Sequence, residues 1–343
     1  MIHRAGGIAA AMTVALLSAA SIPALAQETA DNGACGTDRT IDIAEMTWPS
    51  AAALAHIHAT ILEAGYGCDV EIVTGDTVPT SSSMLSRGTP AVAPELWTSA
   101  LEEPWAKGKA DGLVVELSDA ITDGTIEGWF IPRYTQEAHP ELVTVQDVVD
   151  HPEFFSDPEE ADKGRLYSCP PGWACELSTS ALFEAYAMDE TWNLFSPGSG
   201  GALDASIARA FTREEPILFY YWGPTAILGK YDAVLLDMGP VDKDIYACNT
   251  DPACEKPAEK TGYPSSPAVV GAAAWLPEEA PAVADYFAKV GLTNAEISEL
   301  LIYGDENQAD AEATAENFLK TKEDLWTKWV PAAVAEKVRA SLG

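Results

Sequence analysis

Three tryptophans stand where the chain leaves an apolar, strand-like run and turns, and a fourth stands in a short loop between two cysteines. Trp48 precedes Pro49-Ser50, Trp97 precedes Thr98-Ser99, Trp222 precedes Gly223-Pro224, and Trp173 lies inside CPPGWACE (169–176). An indole at a strand tip presents a π face to whatever cleft the strand ends border. Such a face attracts a soft cation by about 0.5–2 kcal/mol, more when water is excluded. Several faces together suit a methylated ammonium, which has charge, no strong donor and an apolar skin. Plain core packing is the competing reading for any single indole.

In CPPGWACE, Cys169 and Cys175 enclose two prolines, a glycine and Trp173. A disulfide and two prolines remove the loop's freedom in advance, so an indole held there is ordered at little entropic cost. The following ELSTSALFEAYAM reads as a helix, which leaves the first amides, those of Ala174 and Cys175, able to face an anion. A disulfide that merely pins a surface turn is the alternative.

Catalytic spacings are absent: there is no H-E-x-x-H, G-x-S-x-G, G-x-G-x-x-G or P-loop. His56 and His58 are two apart on a helix and face different ways, while His139 and His151 fall in loops. The acidic stretches GDENQAD and CNTDPACE lack EF-hand spacing, and the two C-x5-C pairs have no histidine near them to make a zinc site. No catalytic residue, metal or cofactor is expected.

The net charge of −33 excludes nucleic acid and anionic membrane surfaces as partners. The acids are scattered among periodic apolar segments, the pattern of a folded, solubilised surface rather than of disorder. Residues 1–26 read as a secretory leader: Arg4, a short apolar run, then Ala24-Leu25-Ala26 as the cleavage site. In an exported chain an even cysteine count argues for disulfides, and the order along the chain favours Cys35–Cys68, Cys169–Cys175 and Cys248–Cys254.

Strand-like and helix-like segments alternate. RTIDIAEMTW (39–48), DVEIVTG (69–75), AVAPELW (91–97), GLVVELSD (112–119), GWFIPRY (128–134), PILFYYW (216–222) and YDAVLLDMG (231–239) read as strands. Helices follow several of them, the first with Ser50 as N-cap and Gly65 near its end, and the last 65 residues read as mostly helical. This alternation implies α/β lobes with largely parallel sheets, in which ligands bind beyond the carboxyl ends of the strands.

PELWTSALEE, CPPGWACE and FYYWGP, in this order along the chain, resemble the glycine betaine/choline-type substrate-binding proteins of ABC importers, and the resemblance runs from about residue 38 to 335. It implies a two-lobed, type II periplasmic receptor with an aromatic box between the lobes, and a monomer that delivers its ligand to a permease. Residues 27–119 and 238–343 would form one lobe and 120–237 the other, with hinge crossings at 116–123 and 235–241. By matching position Trp97, Trp173 and Trp222 look like box members of the betaine-binding branch and Trp48 like the first box residue of the choline-binding branch. Trp129 falls near a further aromatic position. Two polar anchors of the family are missing: Leu101 stands where some betaine binders have histidine, and Ser50 where choline binders have aspartate. A compact methylated amine such as trimethylamine N-oxide needs neither, and Glu127 and Glu176 are candidate carboxylates for its nitrogen. A secreted enzyme acting on methylated amines and a sensory receptor of the same fold are the rival readings.

Overall fold

The alternating run at 39–48 becomes β1 (Ile41–Met46), and the other strand-like segments follow as β2 (Val70–Gly75), β3 (Val92–Trp97), β4 (Val114–Asp119) and β5 (Ile126–Pro132) in a computed structural model that describes residues 1–2, 34–265 and 268–343. The second half contributes β6 (Gly164–Tyr167), β7 (Trp192–Phe195), β8 (Leu218–Gly223), β9 (Ala233–Leu235) and β10 (Ala268–Ala273). The described residues from 34 to 343 form one compact unit. The expected leader falls almost wholly outside the described residues.

Two five-stranded sheets result, ordered β2-β1-β3-β10-β4 and β7-β6-β8-β5-β9. In the first, β1 pairs in parallel with β2 and β3, and only β10 runs against its neighbours. In the second, β6 pairs in parallel with β7 and β8, and only β5 is reversed. Each reversed strand is the first that the chain lays down on arriving from the other sheet. The strands are thus largely parallel, with one antiparallel strand inside each sheet. Every residue of β3, β8 and β10 is buried, as strands covered on both faces must be.

Several local expectations shift. The helix after β1 spans Pro49–Thr60 with Trp48, not Ser50, at its N-cap. Pro49 has no N–H to satisfy and a φ already suited to the first helical turn, so the cap moves back to the extended residue before it. The helix continues as a π-helical turn, Ile61–Tyr66, closed by Gly67 rather than Gly65. β6, β7 and β10 carry no clear alternation and were not legible as strands. The chain leaves the first sheet after Asp119 and enters the second at Ile126. On the return, Asp237 bridges Thr144 and the helix Lys243–Thr250 packs on the helix Ala174–Ala185. The first sheet is rejoined only at Ala268, well beyond the 235–241 segment. The three disulfides pair Cys35–Cys68, Cys169–Cys175 and Cys248–Cys254, as expected.

Candidate ligand-binding site

The parallel strands direct their carboxyl ends to one cleft, and the turns after them carry the tryptophans. Trp48 follows β1, Trp97 ends β3, Trp173 lies in the loop after β6, and Trp222 sits near the end of β8. All four are buried, and with Thr77, Ser99, Glu127, Ala174, Cys175 and Tyr220 they line a cavity of about 30 Å³. Three rings stand edge to face in sequence: Trp48 to Trp173 at 5.4 Å between centroids and 74°, then Trp173 to Trp222 at 5.0 Å and 82°. Such edge-to-face packing is a favoured geometry for aromatic pairs and brings the three rings together at the cavity wall. A larger cleft of about 700 Å³ opens on the far side of Trp48 and Trp222. The smaller cavity is the candidate site, because Trp48, Trp97, Trp173 and Trp222 all line it together with Glu127 and the start of the helix Ala174–Ala185, whereas only Trp48 and Trp222 of the four reach the larger cleft.

The loop that carries Trp173 is braced twice. Its disulfide closes it, and Gly172, at φ +91°, makes a turn that a side chain would strain. Glu176 accepts a hydrogen bond from the Gly172 amide at 2.9 Å. Glu176 is therefore committed to the loop's own backbone and does not line the cavity. Trp173 N-caps the helix Ala174–Ala185, whose first amides, Ala174 and Cys175, border the cavity. The loop also ties the two sheets together: the Val78 amide donates to the Gly172 carbonyl at 3.1 Å, and Trp173 Nε1 donates to Thr47 Oγ1 at 2.8 Å.

Trp129 is not brought to the cavity. β5 is reversed, so its start rather than its end reaches the cleft: Glu127 pairs with Trp222, and Trp129 pairs deeper with Tyr220. Trp129 is fully buried and donates to the Tyr263 hydroxyl at 3.2 Å. Glu127 lines the cavity, accepts from the Tyr220 hydroxyl on Oε1 at 2.7 Å, and has an enclosed Oε2 with no hydrogen-bond partner among the described residues. Burial pushes its carboxyl group up to about 7, with the Tyr220 hydrogen bond opposing. At neutral pH this group can serve as a charge or as a donor.

Sequence reasoning missed Tyr220, Thr77, Ser99 and, beneath the cage, Glu95. Glu95 is fully buried in β3, and its Oε1 accepts from Trp48 Nε1 at 2.7 Å, Trp97 Nε1 at 3.0 Å and Ser50 Oγ at 3.1 Å. Burial raises its carboxyl pKa, opposed by these three hydrogen bonds. The signal was present: an acid in the otherwise apolar AVAPELW needs buried partners. Ser50, expected as a cap, spends its hydroxyl here, and Leu101 is packed in the core.

Residues 39–321 match the family described as the substrate binding domain of ABC-type glycine betaine transport systems. The chain is similar to the glycine betaine/proline betaine-binding periplasmic protein of Salmonella typhimurium, 25% identical over 226 residues, covering 63% of this chain and 66% of that protein. The Escherichia coli protein of the same description is 25% identical over 229 residues, covering 63% and 66%. The match thus spans just under two thirds of these relatives. Among solved structures, an ABC-transporter choline binding protein in complex with choline superposes with a TM-score of 0.71 at 18% identity, covering 90% of this chain and 99% of that one. The glycine betaine, L-proline-binding protein from Borrelia burgdorferi gives 0.70 at 18% identity, covering 88% and 100%. These likenesses establish the two-lobed periplasmic binding protein fold.

Proposed function

Because the chain belongs to the family of substrate-binding domains of ABC-type glycine betaine transport systems, we propose that it is a periplasmic receptor that closes on a compact methylated amine and hands it to an ABC permease. Trp48, Trp97, Trp173 and Trp222 form the cage. The observation that carries this reading is the convergence of four buried indoles, three at strand ends and one in the braced loop, with Glu127 around one small cavity.

Trimethylamine N-oxide fits best. Its methylated nitrogen faces the indoles, and its oxygen accepts a hydrogen bond from protonated Glu127, whose carboxyl group titrates at about 7. Glycine betaine would place its carboxylate on the amides of Ala174 and Cys175, and choline would use Glu127 as a counter-charge. Closure follows from differential contact: the ligand touches β1, β3, β5 and β8 together only when both lobes meet it. The role is capture and delivery rather than catalysis.

Calorimetric titration with trimethylamine N-oxide, glycine betaine, choline and dimethylsulfoniopropionate in parallel tests the proposal. Tight binding of the N-oxide alone supports it in full. Preference for glycine betaine moves the polar anchor to the helix amides. Binding of none of the four overturns it.

A further inference from the structure

We infer that Glu95 is a positioning residue that aims the indoles of Trp48 and Trp97 into the cavity by accepting both of their N–H groups on one carboxyl oxygen. The inference rests on the cage reading above. Trp48 and Trp97 leave the neighbouring strands β1 and β3, and Glu95 shares a strand face with Trp97, two residues on. Its Oε1 lies between the two indole nitrogens, at 2.7 Å from Trp48 and 3.0 Å from Trp97. A ring is free to rotate about its side-chain bonds unless both its flat surface and its polar edge are held. Here one atom holds both edges, so neither ring turns without breaking a hydrogen bond in a site closed to water.

The position is otherwise a poor one for an acid. Glu95 is fully enclosed, no lysine, arginine or histidine pairs with it among the described residues, and its Oε2 has no hydrogen-bond partner among them. An aliphatic side chain would hold β3 in the sheet without that desolvation cost. What an aliphatic residue cannot do is accept from two indoles. An accepting oxygen at the N–H edge also pushes electron density into each ring, which deepens the attraction of its face for a cation.

The test compares wild type, Glu95→Gln and Glu95→Ala in the full mature chain. Isotope-labelled tryptophan gives one indole N–H resonance per ring, assigned for these two by Trp48→Phe and Trp97→Phe. Without any ligand, the Trp48 and Trp97 resonances move together in Glu95→Ala while the other indoles stay in place. Affinity, read with whichever of the four methylated amines wild type binds, falls by roughly tenfold or more in Glu95→Ala. Glu95→Gln, which keeps the accepting oxygen, recovers most of it. Unmoved resonances overturn the inference, as do equal losses in the two variants. Failure of wild type to bind any of the amines counts against the proposed function alone, since the resonance test needs no ligand.

Discussion

Trp173 and Thr47 join the two lobes through one hydrogen bond, the indole Nε1 donating to Oγ1 at 2.8 Å. Thr47 in turn donates to Asp76 Oδ1, so the cage ring of one lobe is anchored to a polar pair on the other. Thr47→Val removes the acceptor but not the volume. The loss of one such bond weakens ligand binding by about 0.5–1.5 kcal/mol, roughly 2- to 10-fold. Thr47 is exposed, so thermal stability without ligand should hardly change. Calorimetry and a melting curve on the same sample check both halves; unchanged affinity would remove the link from the closure mechanism.

The cage and the deep tryptophan should separate by mutation. Alanine at Trp97, Trp173 or Trp222 is expected to weaken binding by about 1–3 kcal/mol each, through lost packing and lost cation attraction. Trp129→Phe should instead lower unfolding free energy by about 1–2 kcal/mol, since it shrinks a fully buried ring and removes one of the two hydrogen bonds of the Tyr263 hydroxyl, the other being to Thr179, and leave affinity within roughly twofold. A large affinity loss in Trp129→Phe, with folding intact, would return that residue to the site.

Glu127 makes the ligand's chemistry readable from pH. Its carboxyl group titrates at about 7 because burial disfavours the ionised form. A ligand that accepts its proton in a hydrogen bond, as the N-oxide does, should bind more weakly as pH rises through 7. A permanent cation balanced by the carboxylate should bind more tightly over the same range. Titrations between pH 5.5 and 8.5 on wild type and Glu127→Gln decide the sign, and the variant should lose the dependence. A pH profile shared by both proteins would take Glu127 out of the contact.

His58 governs part of the acid sensitivity of the fold. Buried against Tyr286 and Phe287, its imidazole is pushed down from 6.5 to about 3 by desolvation. Between these values the unfolded chain holds the proton and the folded chain does not, so stability is complete above 6.5 and falls as pH drops toward 3. The slope attributable to one group is at most about 1.4 kcal/mol per pH unit. Urea unfolding of His58→Gln across this window should show a lower stability at neutral pH and a slope shallower by about one proton. Identical slopes would assign the acid sensitivity elsewhere.

The strand-end tryptophans, the paired cysteines and the α/β alternation were legible because each is a local pattern. Alternation or an apolar run, then a turn residue, places an indole at a strand tip wherever the strand lies in its sheet. The cysteines of 169–175 and 248–254 are close enough in sequence to find each other without help from the fold. Strand β10 was illegible for the same kind of reason: AVVGAA is small and apolar throughout and carries no period.

What the sequence determined by itself is the class of the protein and three local features of the candidate site: indoles at turns, a braced loop, and a helix start beside it. The tertiary structure alone decided which of the two candidate acids lines the cavity. Glu127 and Glu176 are alike in sequence, each two or three residues from a tryptophan near a segment boundary. Glu176 is one turn away from a backbone amide and is spent on it, whereas the reversal of β5 turns Glu127 into the cleft and sinks Trp129 beneath it. Glu95 belongs to the same class of fact. Its partners come from β1 and from its own strand, and only the pairing of β1 with β3 brings both indole nitrogens to one oxygen. Side-chain direction follows from local backbone, but which polar groups meet is set by strand order and strand sense, and these are properties of the assembled sheet.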